Sequence, residues 1–588
     1  MNFQSPIFTE KTQCQDCYKC IRECPVKAIR VENGHAMVVS DLCVLCGHCV
    51  EACPAGAKRV RDDLARAKQL LRLKDRVIVS LAPSFASEFS SVSPARLVSA
   101  IRKLGFYGVS ETAVGADLVS RRIAGDFTDA AKETGQRLFL SSACPAAVEY
   151  VKRYMRQYAP FITDRASPLL AHARFLRETY GQDIGIVFVG PCIAKKREAD
   201  VWQTIDCAIG FGDLRRWLED EGIDPAMEAA GDAVGDATRD DDSAGDFGFI
   251  PFRAAKGALY PVDGGMIASV KKYPGAESAF MMSVAGLDQI DKALSGLDPK
   301  VLTEPLFIEM LSCPGGCVNG PQTTRPAPTA LRRISLLGYA MGAADTLEAR
   351  APSLRDTLPV AVTGGSMHTS EEIGLALRQV GKYSGADELN CGSCGYDTCR
   401  SFAAAMLDRR AEKTMCVSYM RKLAQKKANG LIKTMPSGVV ICDSSLHIIE
   451  CNQNFANLMG ADTAMMFEAK PGMEGADLEK ITGLSRFFRD VLSEDGPDAV
   501  EHEIREGKKI FHATIFSLER GESACGVIQD VTAPQIQRDR VIKQTQRVID
   551  KNLAVVQKIA FLLGENAAET EATLNSIMES FVDSGEDQ

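Results

Sequence analysis

No uninterrupted apolar stretch in the 588-residue chain reaches the roughly 18 residues of a membrane-spanning helix, so no membrane span is expected. A basic surplus is missing as well. Lys and Arg number 68 against 77 Asp and Glu, a net charge of −9. That excludes a nonspecific nucleic-acid binder, whose affinity needs a positive face; a solvated acidic surface accounts for the charge. The opening residues, MNFQSPIFTEKTQC, hold neither the apolar core nor the basic leader of an export signal, and no twin-arginine pair, so a cytoplasmic location is the expectation. No pattern of a kinase or a DNA-binding domain is present.

Cysteine, by contrast, is abundant, with 20 residues. In a large cytoplasmic chain these are expected as metal ligands rather than disulfides. Their grouping agrees. Eight lie within the first 53 residues, and four fall between Cys391 and Cys416. Cys144, Cys192, Cys313 and Cys317 each sit beside a Pro or Gly, and Cys207, Cys442, Cys451 and Cys525 stand alone.

Texture divides the chain. Residues 1–60 are short and Cys-dense, and 61–76 read as an amphipathic connector helix. From Val77 the runs VIVSLAP, RLFLSSACP and IGIVFVGPC each end in Pro, Cys or Gly, as buried strands do when their carboxyl ends deliver functional loops. Helical segments such as PARLVSAIRKLG and SPLLAHARFLRETYG lie between them. This alternation implies an α/β layer with a largely parallel sheet and ligand sites at strand carboxyl ends. Residues 228–247, rich in Ala, Asp and Gly, read as a flexible acidic loop.

The first two cysteine runs are Cys14-x2-Cys17-x2-Cys20-x3-Cys24-Pro25 and Cys43-x2-Cys46-x2-Cys49-x3-Cys53-Pro54. This doubled run is the bacterial ferredoxin signature. Three thiolates two residues apart wrap one corner of a cubane, and the fourth reaches the other cluster. The expected ligand sets for two [4Fe–4S] clusters are Cys14, Cys17, Cys20 and Cys53, and Cys43, Cys46, Cys49 and Cys24. Zinc could use any one CxxC pair, but two quartets with trailing Pro favour clusters, and electron relay is the expected role. In LNCGSCGYDTCRSFAAAMLDRRAEKTMC, Cys391, Cys394, Cys399 and Cys416 resemble the ligands of a small [4Fe–4S] domain of redox proteins. Zinc could use the same four sulfurs.

Residues 77–365 resemble the catalytic domain of [FeFe]-hydrogenases. The resemblance rests on SSACPAAVEY with Cys144, GPCIAKKRE with Cys192, Lys195 and Glu198, FIEMLSCPGGCVNG with Cys313 and Cys317, and the earlier segment Leu81-Ala82-Pro83-Ser84. The two glycines between Cys313 and Cys317 let the backbone turn tightly around a bulky group. The resemblance implies an H-cluster: the four cysteines hold a [4Fe–4S] cluster, and Cys317 bridges to a two-iron unit carrying CO, cyanide and a dithiolate. It also implies that Lys195 donates to one cyanide, while Ser84 and the backbone at Pro83 hold the other cyanide and the dithiolate. Fast members of the family place a proton-relaying cysteine where this chain has Ala143, and a methyl group relays no proton. Two methionines of the family fall at Gly190 and Leu311. These departures imply slow turnover, with Ser142 or water as a substitute relay.

Residues 431–533 resemble a PAS domain, on MPSGVVICDSSLHIIECNQNFANLMG and GVIQDVT. The opening reads as two strands joined at Asp443–Ser445 and a helix from Asn452. His447 reads as an ordinary strand residue and the cysteines there as packing residues. Beyond Thr532, Val541, Val548, Val555 and Leu562 recur every seven residues, beside Ile542, Ile549, Val556 and Leu563, with Thr545, Asn552 and Ile559 midway. That is a coiled-coil-like seam, with Asn552 able to set register, and it allows a homodimer; a helix packed on the PAS domain is the alternative.

The expected architecture is therefore a multidomain α/β and α+β chain. Residues 1–60 form a ferredoxin-like two-cluster domain, 61–365 an H-cluster domain with its connector, 366–424 a small [4Fe–4S] domain, 425–533 a PAS domain and 534–588 a helical coiled coil. This order resembles the sensory [FeFe]-hydrogenases. It implies hydrogen and protons as reactants, a redox partner such as ferredoxin, maturation enzymes, and a phosphatase or kinase that reads the signal. Two other functions fit the same residues: a catalytic ferredoxin-linked hydrogenase, and a non-enzymatic iron–sulfur sensor or assembly protein without the two-iron unit.

Overall fold

Four short strands, β1 (Ile7–Thr9), β2 (Ile29–Glu32), β3 (His35–Val38) and β4 (Lys58–Val60), pair as two antiparallel ribbons, β1 with β4 and β2 with β3. Between them lie the helices Lys19–Glu23 and His48–Ala52, each carrying the third cysteine of its run and capped by the fourth. The duplicated sequence folds as a duplicated structure: Ala28 N–H donates to Cys24 Sγ at 3.3 Å, and Ala57 N–H to Cys53 Sγ at 3.2 Å. This computed structural model describes residues 4–133, 136–228, 247–324, 327–356, 359–360, 368–506, 509–531, 547–549, 551–552 and 555. The chain forms two units, Met1–Cys416 and Val417–Gln588.

The connector is a helix, Leu64–Leu73, that buries Leu64 and Ala67. Charge fixes its entry. Arg61 pairs with Asp63 at 2.9 Å and with Asp200 at 2.8 Å, and the fully buried Lys196 reaches Asp63 at 3.0 Å. Seven strands follow: β5 (Val77–Leu81), β6 (Gly108–Glu111), β7 (Leu138–Leu140), β8 (Gly185–Val189), β9 (Cys207–Ile209), β10 (Phe280–Ala285) and β11 (Leu306–Leu311). All pair in parallel, but in two sheets, β6-β5-β8-β9 and β10-β11-β7. The expected single sheet is corrected here. Leu138 of β7 lies opposite Leu306 of β11, a pairing between distant segments that no local pattern reports. All residues of β5 and β8 are buried, as befits strands covered on both faces.

Close packing behind these strands leaves no slack. His172 is buried between Ser80 Oγ and Ser110 Oγ, each at 2.8 Å, and burial pushes its pKa down to about 3, so it stays neutral. Gly115, in the helix Thr112–Glu133, abuts the helix Pro168–Tyr180: a Cβ there would stand 2.1 Å from Pro168 O.

The second unit begins with the helix Val417–Thr434, continuous across the expected boundary at 424/425. Strands β12 (Gly438–Asp443) and β13 (Ile448–Cys451) follow, then a helix, Gln453–Met459, whose N-terminus Asn452 caps by accepting Phe455 N–H at 2.9 Å. With β14 (Ala499–Glu506), β15 (Lys509–Glu519) and β16 (Ser523–Asp530) they form an antiparallel sheet in the order β13-β12-β16-β15-β14. Cys442, Cys451 and Cys525 are buried in this unit. Most of the heptad positions beyond Thr532 and nearly all of the acidic stretch 228–247 lie outside the described residues; the described positions from 547 to 555 are helical. Among the described residues no helix is long and apolar enough to cross a membrane.

Gly115→Ala should destabilise the first unit by about 1–3 kcal/mol, the usual cost of overpacking, read as a lower midpoint of chemical unfolding. A neutral effect would mean that the two helices separate freely.

Candidate metal centre

Three strand ends build the centre. After β7 the chain runs through Ser141, Ser142 and Ala143 to Cys144, the N-terminal cap of the helix Pro145–Tyr154. After β8, Gly190 and Pro191 lead to Cys192. After β11, Ser312 and Cys313 enter a turn in which Gly315 and Gly316 take φ of 75° and 99°. Only glycine fits at Gly316, because a Cβ would stand 2.2 Å from Pro261 O. The third loop is fastened to the second by Gln322 N–H donating to Pro191 O at 3.0 Å.

The result is a cavity of about 350 Å³, mouth included, lined by Cys144, Cys192, Cys313 and Cys317 together with Ser312, Pro191 and Cys46. The four cysteines expected at one site are thus brought together from three loops. Burial pushes the Cys192 thiol up to about 11, with the neighbouring Cys144 adding to the rise and Lys195 opposing it. Cys313 and Cys317 are raised by burial and then by their sulfur neighbours. Sulfurs that raise one another's pKa in this way need a cationic group to be held together as thiolates. Among the described residues no three His, Cys, Asp or Glu side chains form a compact single-ion site; the four sulfurs line a space instead.

An iron–sulfur group fits these residues on a further observation. The hydroxyls of Ser84 and Ser312 are buried without a hydrogen-bond partner among the described residues. Buried donors without acceptors are costly, and a ligand carrying acceptors in the cavity would satisfy Ser312, which lines it. Ser84 begins the helix Phe85–Glu88 at the end of β5, next to Pro83. Neither Pro83 nor Ser84 lines the four-sulfur cavity itself, and the same holds for Ala143 and Lys195. Lys195 is buried and its Nζ pairs with Glu198 at 2.5 Å, one helical turn away. Its expected acceptor was a ligand, so the ion pair competes for the same ammonium. At Gly190, where the family's methionine is missing, the space is already filled: a Cβ would meet the Phe188 ring at 2.5 Å and Ala82 Cβ at 2.7 Å. Ser142 Oγ and Thr163 Oγ1 lie 3.1 Å apart, both buried.

Sequence alone assigned Cys46 to the dicluster domain and gave no hint that it also faces this cavity. Gly47 explains the approach: with φ of 90°, a Cβ there would stand 2.4 Å from Pro321 Cβ. Arg153 completes the seam by donating to Cys43 O at 3.4 Å and pairing with Glu149 at 3.1 Å, while Tyr154 Oη donates to Leu42 O at 2.6 Å. Ser312 was also missed; it carries no motif of its own.

Among the cysteines of the dicluster domain, Cys20 and Cys49 stand on the two short helices and the others beside them; Cys20, Cys24, Cys43 and Cys49 are buried, Cys14, Cys46 and Cys53 partly so, and Cys17 exposed. In the third group, Cys399 and Cys416 are buried, Cys394 is partly buried and Cys391 is exposed. Hydrogen bonds from Ser393 hold the Cys391 thiol below its ordinary pKa. This group leans on the dicluster domain. A Cβ at Gly395 would stand 2.7 Å from Ile21, Val31 N–H donates to Arg410 O at 3.0 Å, and Asn33 N–H to Glu412 Oε1 at 3.0 Å.

Comparison with known proteins finds three family matches along the chain. The family described as iron only hydrogenase large subunit, C-terminal domain, matches residues 75–321; a 4Fe-4S dicluster domain matches 6–54; an Fe-S cluster family matches 387–418. The periplasmic [Fe] hydrogenase large subunit of Nitratidesulfovibrio vulgaris is 26% identical over 41% of this chain and 65% of its own length. Iron hydrogenase 1 of Clostridium pasteurianum is 24% identical over 47% of this chain and 55% of its own. Cytosolic iron-sulfur assembly component 3 of Rattus norvegicus is 24% identical over 44% and 64%. The chain thus spans 55% to 65% of the length of these relatives. It carries a domain like the C-terminal one of the [FeFe]-hydrogenase large subunit, accompanied by Fe–S domains.

Ser84→Ala should raise the stability of the protein prepared without any cofactor by about 1 kcal/mol or more, because an unsatisfied buried hydroxyl is removed. Thermal unfolding checks this; a loss of stability would show that Ser84 Oγ is already satisfied.

Proposed function

We propose that this protein is a sensory [FeFe]-hydrogenase that reacts slowly and reversibly with hydrogen, H2 to 2 H+ and 2 e−, and relays the electrons through iron–sulfur clusters to a PAS-like output unit. The observation that carries this reading is the convergence of Cys144, Cys192, Cys313 and Cys317 on one cavity whose wall includes Cys46 of the dicluster domain. Cys144, Cys192, Cys313 and Cys317 would hold the cubane of an H-cluster, and Cys317 would also hold its two-iron unit. Such a group, installed by maturation enzymes, supplies the hydrogen chemistry itself. Pro83 and Ser84 would orient it, and Lys195 would do so once released from Glu198.

Ala143 offers no proton. The hydroxyl pair Ser142–Thr163 is the nearest polar substitute in that loop, and slow turnover follows. Electrons have a short way out, because Cys46 stands at the cavity and the 391–416 group leans on the helix Lys19–Glu23. The last cysteine of that group, Cys416, is joined directly to the helix Val417–Thr434, so a change at the cluster would act on the first turn of the second unit. The five-stranded antiparallel order there supports the PAS reading. A phosphatase or kinase would read that unit, a homodimer would form through the C-terminal heptads, and the whole would work in the cytoplasm. The Lys195–Glu198 pair and the assembly component among the relatives favour a second reading: a non-enzymatic redox or assembly protein. High turnover would instead indicate a ferredoxin-linked catalytic enzyme.

In matured full-length protein, hydrogen should bleach the visible iron–sulfur absorbance over minutes, and absence of bleaching contradicts the proposal. Ala143→Cys should raise hydrogen turnover by about 100-fold, the lower range for a positioned proton-transfer group; an unchanged rate places the bottleneck elsewhere. Truncation after Cys416 should spare the bleaching, and its loss would count against a modular relay.

A further inference from the structure

Ser312 is chemically alone in the wall of the four-sulfur cavity. Among the described residues that line it, every other side chain is hydrocarbon or sulfur. Ser312 is 2% exposed, and its hydroxyl has no hydrogen-bond partner among the described residues. The residues at the same place on the other two loops are Ala143, before Cys144, and Pro191, before Cys192. Neither carries a side-chain donor. The one hydroxyl of the wall therefore stands beside Cys313.

Its position is fixed from both flanks. Ser312 follows β11 directly, and the end of that strand is tied down on each side. Gly286 N–H donates to Leu311 O at 2.8 Å, and Met310 N–H donates to Ser141 Oγ at 2.9 Å. Beyond Ser312 the turn closes on itself, with Gly316 N–H donating to Cys313 O at 3.0 Å, and Val318 N–H reaches Pro261 O at 3.2 Å. The hydroxyl proton rotates, but the oxygen keeps its place. The side-chain acceptors around the cavity are sulfurs. A buried donor without an acceptor is costly, and an acceptor that occupies the cavity removes that cost.

We propose that Ser312 Oγ–H donates a hydrogen bond to a sulfur of the cluster that Cys144, Cys192, Cys313 and Cys317 hold, and so raises that cluster's reduction potential. This rests on the reading that the quartet holds a [4Fe–4S] cluster; the two-iron unit is not required. Reduction adds one electron and no proton to the cluster. The added charge spreads onto the sulfurs, so a fixed O–H dipole stabilises the reduced form more than the oxidised form. Hydrogen bonds to the sulfurs are among the determinants of cluster potential. A higher potential makes this cluster the readier acceptor for electrons released in the cavity.

The test is an electron paramagnetic resonance redox titration of the full-length protein reconstituted with iron and sulfide, with iron and sulfide analysis of each sample. Cys192→Ala assigns the signal, because it removes the one that belongs to this quartet. If that variant loses neither signal nor iron, the quartet holds no cluster, and the underlying reading falls and takes the inference with it. With the signal assigned, Ser312→Ala should keep the iron content, move the potential of this cluster to more negative values and leave the other three quartets unmoved. Electron–nuclear double resonance in D2O should show an exchangeable deuteron at the native cluster that Ser312→Ala lacks and that Ser312→Thr, which keeps the hydroxyl, retains. An unchanged potential, or the same deuteron in Ser312→Ala, would overturn the inference. If Ser312→Ala loses the cluster, Ser312→Thr decides: a cluster held at near-native potential supports the role of the hydroxyl, and its loss overturns it.

Discussion

One helix ties the dicluster domain to the four-sulfur cavity. Pro145–Tyr154 starts at Cys144, a wall of the four-sulfur cavity, and ends at Arg153 and Tyr154, which donate to the backbone at Leu42 and Cys43. A cysteine of one quartet and the backbone beside another are therefore tied to the two ends of a single helix. Arg153 is buried, and its charge is balanced by Glu149, which is shared with Arg197 at 3.0 Å. A buried network of this kind resists rearrangement, because removing one partner strands the others. Gly47 against Pro321 closes the same seam from the other side. Electron transfer depends on short separation, and this seam is what keeps Cys46 at the cavity.

The cavity has a mixed character. Its sulfurs and its turn at Gly315–Gly316 match a bulky inorganic group, and the orphaned hydroxyl of Ser312 on its wall waits for an acceptor. Other features would restrain hydrogen chemistry at such a group. Ala143 offers no proton, Gly190 is packed too tightly to admit a side chain, and Lys195 is engaged by Glu198. None of these removes a sulfur. They alter what surrounds the group, which is how a protein tunes a cofactor whose chemistry is its own.

Much of this was legible in the residues. Cysteine spacing marked the Fe–S domains at residues 6–54 and 387–418, since such spacing is what a cluster ligand shell requires. The strand-end loops bearing Cys144, Cys192 and Cys313 stood out as apolar runs ending in Pro, Cys or Gly. Pairing across long separations was hidden: β7 joins β11 rather than the neighbouring runs, so one expected sheet is two. The helix through 424 hid the unit boundary at Cys416. The Lys195–Glu198 pair could have been found, as residues three apart on a helix face one another.

The central claim is that this cavity takes a hydrogen-activating two-iron group and not a cubane alone. The infrared spectrum of the full-length protein, matured with the accessory enzymes that build such groups, tests it most directly. The account predicts sharp bands from iron-bound carbon monoxide and cyanide that shift when hydrogen is admitted. A preparation with every cubane loaded and no such bands would contradict it.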